Sequence, residues 1–390
     1  MPIKIIKKFF QLEASGGIFL FLAALAAICL DNSFLSSYYE SLIAIPVSIH
    51  VGDLSLSKHL LEWVNDGLMA FFFLVVGLEI KREILEGELN SKAKVMLPLI
   101  AALGGMITPA LFFFLMNHDN PVALRGWAIP TATDIAFSLG ILSLLGSRVP
   151  ISLKIFLTAL AIFDDLGAII IIAIFYTANL SIISLIFASI FLAILFLLNY
   201  KNVKILPPYI FAGVALWLCV LNSGVHATLA GVALACALPL RALPGERSLA
   251  LYVEKLIHPW VPFFILPVFA FFNAGVSFQD LPNGAGQIFS PVMLGICGGL
   301  ALGKSVGVFT TTFLAVKLKL APMPNDACWP QIFGIALVCG VGFTMSFFIG
   351  TLAYPESLSS EPFQAWVRLG VIFGSLISGI LGYIVLRLTT

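Results

Sequence analysis

The sequence predicts an all-α polytopic membrane protein of twelve transmembrane helices, two of them interrupted, with a small β-hairpin on the outer side. Three observations carry that expectation. The 390-residue chain is 60% hydrophobic and 11% charged, with a mean hydropathy of +1.06, a composition foreign to soluble domains. Its apolar residues form runs at about 12–30, 59–80, 95–116, 122–145, 151–176, 181–199, 205–220, 223–238, 250–271, 290–315, 328–350 and 364–386, many long enough to cross a bilayer. Its basic residues are unequally shared. With the N-terminus inside, only Lys58, Arg125 and Arg368 fall on the outer side, and Lys304 alone lies within a span. That asymmetry places both termini in the cytoplasm.

The remaining composition mostly excludes. A net charge of +1 offers no footprint for nucleic acid. Cysteines 29, 219, 236, 297, 328 and 339 show no CxxC or zinc spacing and read as free thiols. Lys4, Lys7 and Lys8 before Gly17–Leu30 have the flavour of a signal peptide, but no clear small-residue cleavage site follows. The expectation is a basic interfacial segment leading into a retained first helix.

Between the first two runs, Val47–Leu56 alternates apolar and polar residues around Gly52-Asp53, a hairpin signal that sets a β-hairpin at 45–58. A two-stranded hairpin is marginal alone, so it either pairs with a second copy of the protein or packs on its own chain. The second run ends in Glu79-Ile80-Lys81-Arg82-Glu83, followed by Glu86 and Glu88. A solvated helix end is the default for such a charged mouth. In the fourth run Pro130 removes a backbone donor and disfavours helix at Ile129. Thr131, Thr133 and Asp134 follow at mid-membrane. Irregular backbone at that depth is tolerated only where it is buried in protein or lines a cavity.

The fifth run holds the pair on which the chain turns, Asp164-Asp165, with more than two apolar turns on either side. One charged residue at a helix centre costs about 2.5–3.5 kcal/mol or more. Adjacent helix positions point about 100° apart, so one Asp can face a water-filled site and the other a neighbouring helix. His226, in a polar patch of the eighth run, reads as an interhelical hydrogen-bonding residue. Glu254 and His258 precede Pro259 at the cytoplasmic start of the ninth. In the tenth, Gly295, Gly299, Gly303 and Gly307 form a small-residue face for close helix contact. Lys304 beside that face needs a carboxylate, a carbonyl or deprotonation. Gly298–Ser305 also fits the Walker A pattern, but the strand and α/β context that motif requires are absent, and no nucleotide is expected. In the eleventh run, Gly340 and Gly342, then Thr344 and Ser346, interrupt the apolar sequence. Interrupted segments in corresponding places of two halves point to a transporter site built from inverted repeats, here 95–176 and 290–386.

With these residues assembled, the chain resembles the NhaA-type sodium/proton antiporters of bacteria over nearly its whole length. The likeness is carried by Thr131–Phe137, Phe163–Gly167, Gly303-Lys304, Val225–Thr228 and Val341–Ser346. It implies twelve helices in the bacterial inner membrane, the fourth and eleventh unwound and crossing mid-membrane. It also implies electrogenic, pH-activated exchange of Na⁺ or Li⁺ for H⁺, and dimers formed through the outer hairpin. By resemblance Asp164 and Asp165 form the ion and proton site, and Asp134 and Lys304 compensate the facing half-helix ends, Lys304 pairing with Asp164. Glu79, Arg82, Glu83, Glu254 and His258 match a cytoplasmic pH-sensing cluster, and His226 and Gly342 take modulatory places. Where well-known members carry basic residues just before the Glu254 position, this chain has Leu251 and Tyr252, which leaves its pH set point open.

The chemistry agrees independently. Na⁺ is a hard cation served by oxygen ligands, which Asp164, Asp165, the Thr133 hydroxyl and freed carbonyls supply. A carboxylate removed from water binds a proton or a cation and is costly to leave bare. That exclusion suffices for exchange if the site faces one side at a time. The chain is therefore expected to be one transport domain over 1–390, not an enzyme, with no cofactor and the lipid bilayer as its surroundings. Three alternatives compete. A sodium-coupled symporter would need a further substrate cavity, and a cation channel would need no proton-exchanging carboxylates beside a buried lysine. A sensor would need an output domain.

Overall fold

Inside a bilayer every backbone N–H and C=O must be satisfied within the chain, and helix occupies each apolar run. The structure, a computed structural model, describes residues 13–51, 54–87, 92–177, 180–240, 248–278, 289–355 and 362–389. Lys4, Lys7, Lys8, the hairpin tip Gly52-Asp53, Glu88, Arg241 and Arg247 lie outside them.

In chain order come α1 (Glu13–Asp31), α2 (Ser36–Ile43), strands β1 (Pro46–Val51) and β2 (Leu54–His59), and α3 (60–85), which contains a π turn at Val64–Leu68. Then follow α4 (Lys92–Asn117), a 3₁₀ helix (Ala123–Thr131), α5 (Ile135–Leu144), α6 (Ile151–Phe175), α7 (Ile182–Tyr200), α8 (Pro207–Leu221) and α9 (Leu229–Ala237). The last are α10 (Leu249–Asn273), α11 (Pro291–Lys317), α12 (Trp329–Val338), α13 (Phe343–Ala353) and α14 (Phe363–Thr389). Among the described residues six helices are long and apolar enough to cross a membrane, or nine if each bent pair counts as one span. α8 has 15 residues and α9 nine, well under the roughly 20 a simple span needs, so length alone supports fewer than the twelve expected.

The chain divides into two compact units, 1–37 with 91–168 and 273–390, and 38–90 with 169–272. In the first, α11 lies on α4 along its glycines. A β-carbon at Gly295 would strike Phe113 and Asn117, at Gly303 it would strike Pro109, and at Gly307 the Gly104 carbonyl. The small-residue face predicted for the tenth run is thus where two backbones approach. Four-residue spacing drifts about 40° per step on an α-helix, about 120° over these four glycines. A π turn at Gly299–Lys304 underwinds α11 and brings the later glycines back to the face of α4.

The second unit is built on Leu74, Leu78, Leu195, Tyr209, Leu216 and Leu238. Here α3 meets α9 through Gly231, whose β-carbon would collide with the Ala70 carbonyl. Lys81, expected in a solvated mouth, instead donates to the carbonyls of Cys236 at 2.6 Å and Leu238 at 2.5 Å. It satisfies the exposed carbonyl end of the short α9. The hairpin is antiparallel with Pro46 opposite His59 and Val51 opposite Leu54, one residue beyond its predicted end. Ser48 and Ser57 bond across it at 2.9 Å, and Trp63 Nε1 donates to the Val47 carbonyl at 3.1 Å.

Candidate functional site

Two helices of the first unit are broken near their centres. The 3₁₀ helix and α5 are bent by 40° across residues 132–134, and α12 and α13 by 45° across 339–342. Each break turns the carbonyl end of one helix and the N–H end of the next toward mid-membrane; at the second, Gly340 N and Val341 N close tight turns onto the Leu337 and Val338 carbonyls. The fourth run is broken, but after Pro130 and not at Ile129: both residues lie within a first half that is 3₁₀ and not α, which tolerates the proline within it.

The N–H lips share one carboxylate. Asp134, 1% exposed, caps its own helix by accepting from Phe137 N at 2.9 Å. Its other oxygen accepts from Thr344 N at 3.1 Å and Thr344 Oγ1 at 2.5 Å, at the start of α13. An anion between two helix N-termini is favoured by both half-charges. The carbonyl lips are met differently. Ser138, fourth residue of α5, donates to the Val338 carbonyl at 3.2 Å. Ser346, fourth residue of α13, donates to the Ile129 carbonyl at 2.8 Å. The two breaks thus exchange the same hydroxyl bond in opposite directions. Asp134 N also donates to the Val341 carbonyl at 2.7 Å.

Asp164 and Asp165 sit mid-way along α6, 1% and 2% exposed. Lys304, fully buried at the end of the π turn of α11, holds Asp164 Oδ2 at 2.6 Å and also donates to the Thr131 carbonyl. The sequence left a carboxylate or a carbonyl as alternatives for this lysine, and it takes both. Its hydrogen bonds reach only one carbonyl lip. The second is covered by hydroxyls, because Lys304 reaches across from α11 to the first break and makes its bonds there. The Thr133 hydroxyl lies 2.7 Å from Asp164 Oδ2 and 2.8 Å from the Cys339 carbonyl. With one proton, it donates to one and keeps a lone pair for another partner. Asp164 Oδ1 is buried and accepts no hydrogen bond among the described residues. Gly342 is small because of this crowding. A β-carbon there would lie 2.8 Å from Leu300 Cδ2 and 3.1 Å from the Ala132 carbonyl, and would overlap Ser346 Oγ.

The sequence profile described as Na⁺/H⁺ antiporter 1 matches residues 7–386. The chain belongs to that family. Among relatives of this antiporter-family chain, the Na(+)/H(+) antiporter NhaA of Pseudomonas putida strain GB-1 is 53% identical over 378 residues, covering 97% of this chain and 96% of the relative. The Na(+)/H(+) antiporter NhaA of Rhodospirillum rubrum is 54% identical over 395 residues, covering 100% and 98%. The solved structure of the sodium proton antiporter MjNhaP1 from Methanocaldococcus jannaschii superposes with a TM-score of 0.51 at 17% identity, over 99% of this chain and 97% of that one. At that identity the likeness is one of fold.

In the second unit of this antiporter-family chain the five predicted cytoplasmic residues come together. Arg82 bonds Glu254 and, at 3.1 Å, Glu83, while His258 Nε2 is 3.5 Å from Glu79 Oε1. Glu254 is 5% exposed and its partner Arg82 is half-buried. His226 Nε2 lies 2.9 Å from the Tyr176 carbonyl, a bond from the turn before α9 to the residue just past the end of α6 and so between connecting segments and not between helices. The sequence did not single out Ser138, Ser375 or Ser378, and met Ser346 only inside a motif. A serine in an apolar run carries little signal, and the spacing of four from each break becomes visible only once the break itself is located.

Proposed function

We propose that the chain exchanges Na⁺ (or Li⁺) for H⁺ across the bacterial inner membrane, electrogenically and under pH control. The observation that carries this is the buried Asp164–Lys304 pair with Thr133 and the Cys339 carbonyl at the helix crossing. Asp164 Oδ1, Asp165, Thr133 Oγ1 and the Cys339 carbonyl offer the hard oxygens Na⁺ needs. A proton on either carboxylate, or the Lys304 ammonium on Asp164, occupies the same charge, so cation and proton exclude one another. Because two carboxylates and an ammonium share the site, more than one proton can leave for each Na⁺. The two segments 95–176 and 290–386 act as inverted repeats within one antiporter domain of 1–390, with twelve spans and both termini in the cytoplasm. The matching order of long, broken and long helix in each supports this.

In proteoliposomes, added Na⁺ should collapse an imposed pH gradient with saturable kinetics, and faster when a membrane potential drives the net charge movement. A flux that rises linearly with Na⁺ and leaves the pH gradient intact would make the protein a channel.

The Glu79, Arg82, Glu83, Glu254 and His258 group supports the pH control, with His226 and Gly342 as modulators. Replacing Glu83 or Glu254 by Gln should move the half-activating pH by about one unit, the reach of one close charge, with the maximal rate nearly unchanged. A lower maximal rate at an unmoved midpoint would instead put these residues in the ion path. The hairpin is the proposed dimer contact. Deleting Val47–Ser57 should lower the dimer fraction in detergent and spare transport; an unchanged fraction would remove the hairpin from the interface.

A further inference from the structure

α14 carries two buried serines one turn apart, Ser375 and Ser378, 3% and 0% exposed. Three-residue spacing puts them on one face, and that face lies against the break between α12 and α13. Ser378 Oγ donates to the Leu337 carbonyl at 2.8 Å, in the last turn of α12. Ser375 Oγ accepts from Phe343 N at 3.2 Å, the first residue of α13. Ser375 satisfies an N–H that the break leaves without a helical partner, and Ser378 adds a second donor to a carbonyl that already accepts from Gly340 N at 2.9 Å. Ser378 is also packed directly on the break. A β-carbon at Gly340 would overlap its Oγ and the Leu300 carbonyl.

Between these two anchors lie only Val338 to Gly342, and from that short segment the Cys339 carbonyl points to Thr133 Oγ1 at 2.8 Å. Lys304 secures the first break at the Thr131 carbonyl, Asp134 N on the Val341 carbonyl ties the two breaks together, and Ser138 reaches the Val338 carbonyl from α5. Hydroxyls from α14 hold both lips of the second.

We infer that Ser375 and Ser378 are positioning residues for cation binding: they fix the Cys339 carbonyl in the direction that lets it act with Thr133 and Asp164. This rests on the antiport site proposed above. A carbonyl held in place costs nothing to order when the ion arrives. A carbonyl on a slack segment must be ordered at that moment, and the cost falls on affinity more than on turnover.

The test is Na⁺-dependent exchange in proteoliposomes with Ser375→Ala and Ser378→Ala. Ser375→Thr is compared with them, because it keeps the acceptor oxygen. Thr312→Val serves as a control, because it removes an equally buried hydroxyl that bonds only its own helix, at the Val308 carbonyl. Each alanine variant should raise the apparent KM for Na⁺ about fivefold, the worth of one ordinary hydrogen bond, with the maximal rate within about twofold. Ser375→Thr and Thr312→Val should keep the wild-type KM. An unchanged KM in both alanine variants overturns the inference, as does an equal rise in Ser375→Thr or Thr312→Val. Should one alanine variant fail to fold, the other decides, since the serines hold separate lips. Asp164→Asn, run beside them, separates the two levels. If it exchanges normally the site itself is misplaced, whereas its loss with unaffected serine variants removes only their positioning role.

Discussion

Lys304→Ala is expected to destabilise the protein by about 3 kcal/mol or more and to stop exchange. The ammonium is fully buried, 2.6 Å from Asp164 and bonded to the Thr131 carbonyl. Removing one member of a buried pair strands the other, at a typical cost of about 3–5 kcal/mol. Here it also uncovers a helix-end carbonyl. The sign of the pH dependence follows. A protonated Asp164 needs no counter-charge, so the gap in melting temperature between Ala and wild type should narrow as pH falls and widen as it rises. Lys304→Arg keeps the charge and should retain more stability than Ala. Its planar fork is bulkier beside Gly105, where a β-carbon would already fall 3.5 Å from Lys304 Cε, so exchange should still suffer. Thermal unfolding of the three purified proteins across pH checks both statements. A constant gap between Ala and wild type at every pH would mean that the ammonium is not the partner Asp164 depends on.

Asp165→Asn should abolish Na⁺-dependent proton release and leave folding intact. The amide nearly matches the carboxylate in volume, so the packing of a residue 2% exposed is preserved. What it loses is the ability to ionise, and with it both proton exchange and the charge that attracts Na⁺. The purified mutant should therefore give no proton release on Na⁺ addition at any pH, with a melting temperature near or above that of wild type. Wild-type release would remove Asp165 from the site.

The sequence made some of this legible and not the rest, for physical reasons. Asp164, Asp165, Asp134 and Lys304 stand out because a charge in an apolar run is costly and needs a cause. The breaks stand out because Pro130, Gly340 and Gly342 oppose helix. What stayed hidden depends on which helix lies beside which. Ser375 and Ser378 are ordinary small polar residues until α14 is placed on the second break. The division of labour at the carbonyl lips was hidden for the same reason. A sequence can say that a lysine needs partners, but not that its reach ends at Thr131 and that hydroxyls must cover Val338 and Leu337. The span count was the converse case. Apolar runs were easy to mark, yet a run that contains a turn, as at 222–228, yields a helix of nine residues.

A π turn is what a single inserted residue leaves in an α-helix, and the one in α11 makes the register between its two ends depend on how many residues lie there. Leu302 faces outward, 59% exposed, and its replacement by another apolar residue should be harmless. Removing one residue there should be tolerated too, because the turn then closes to plain α geometry with both flanks in phase. Closing the turn with no residue lost, or losing two, would instead rotate the part of α11 before it against the part after it by about 100°. If Gly295 and Gly299 keep their seats, Gly307 swings away from Gly104 and Lys304 away from Asp164; if the later part holds, the earlier glycines are lost from α4. The lysine's reach to its aspartate is thus set by a residue count as much as by residue identity: a gap of one at 299–303 in related sequences would be neutral, and a gap of two a sharper warning of altered function than substitutions there.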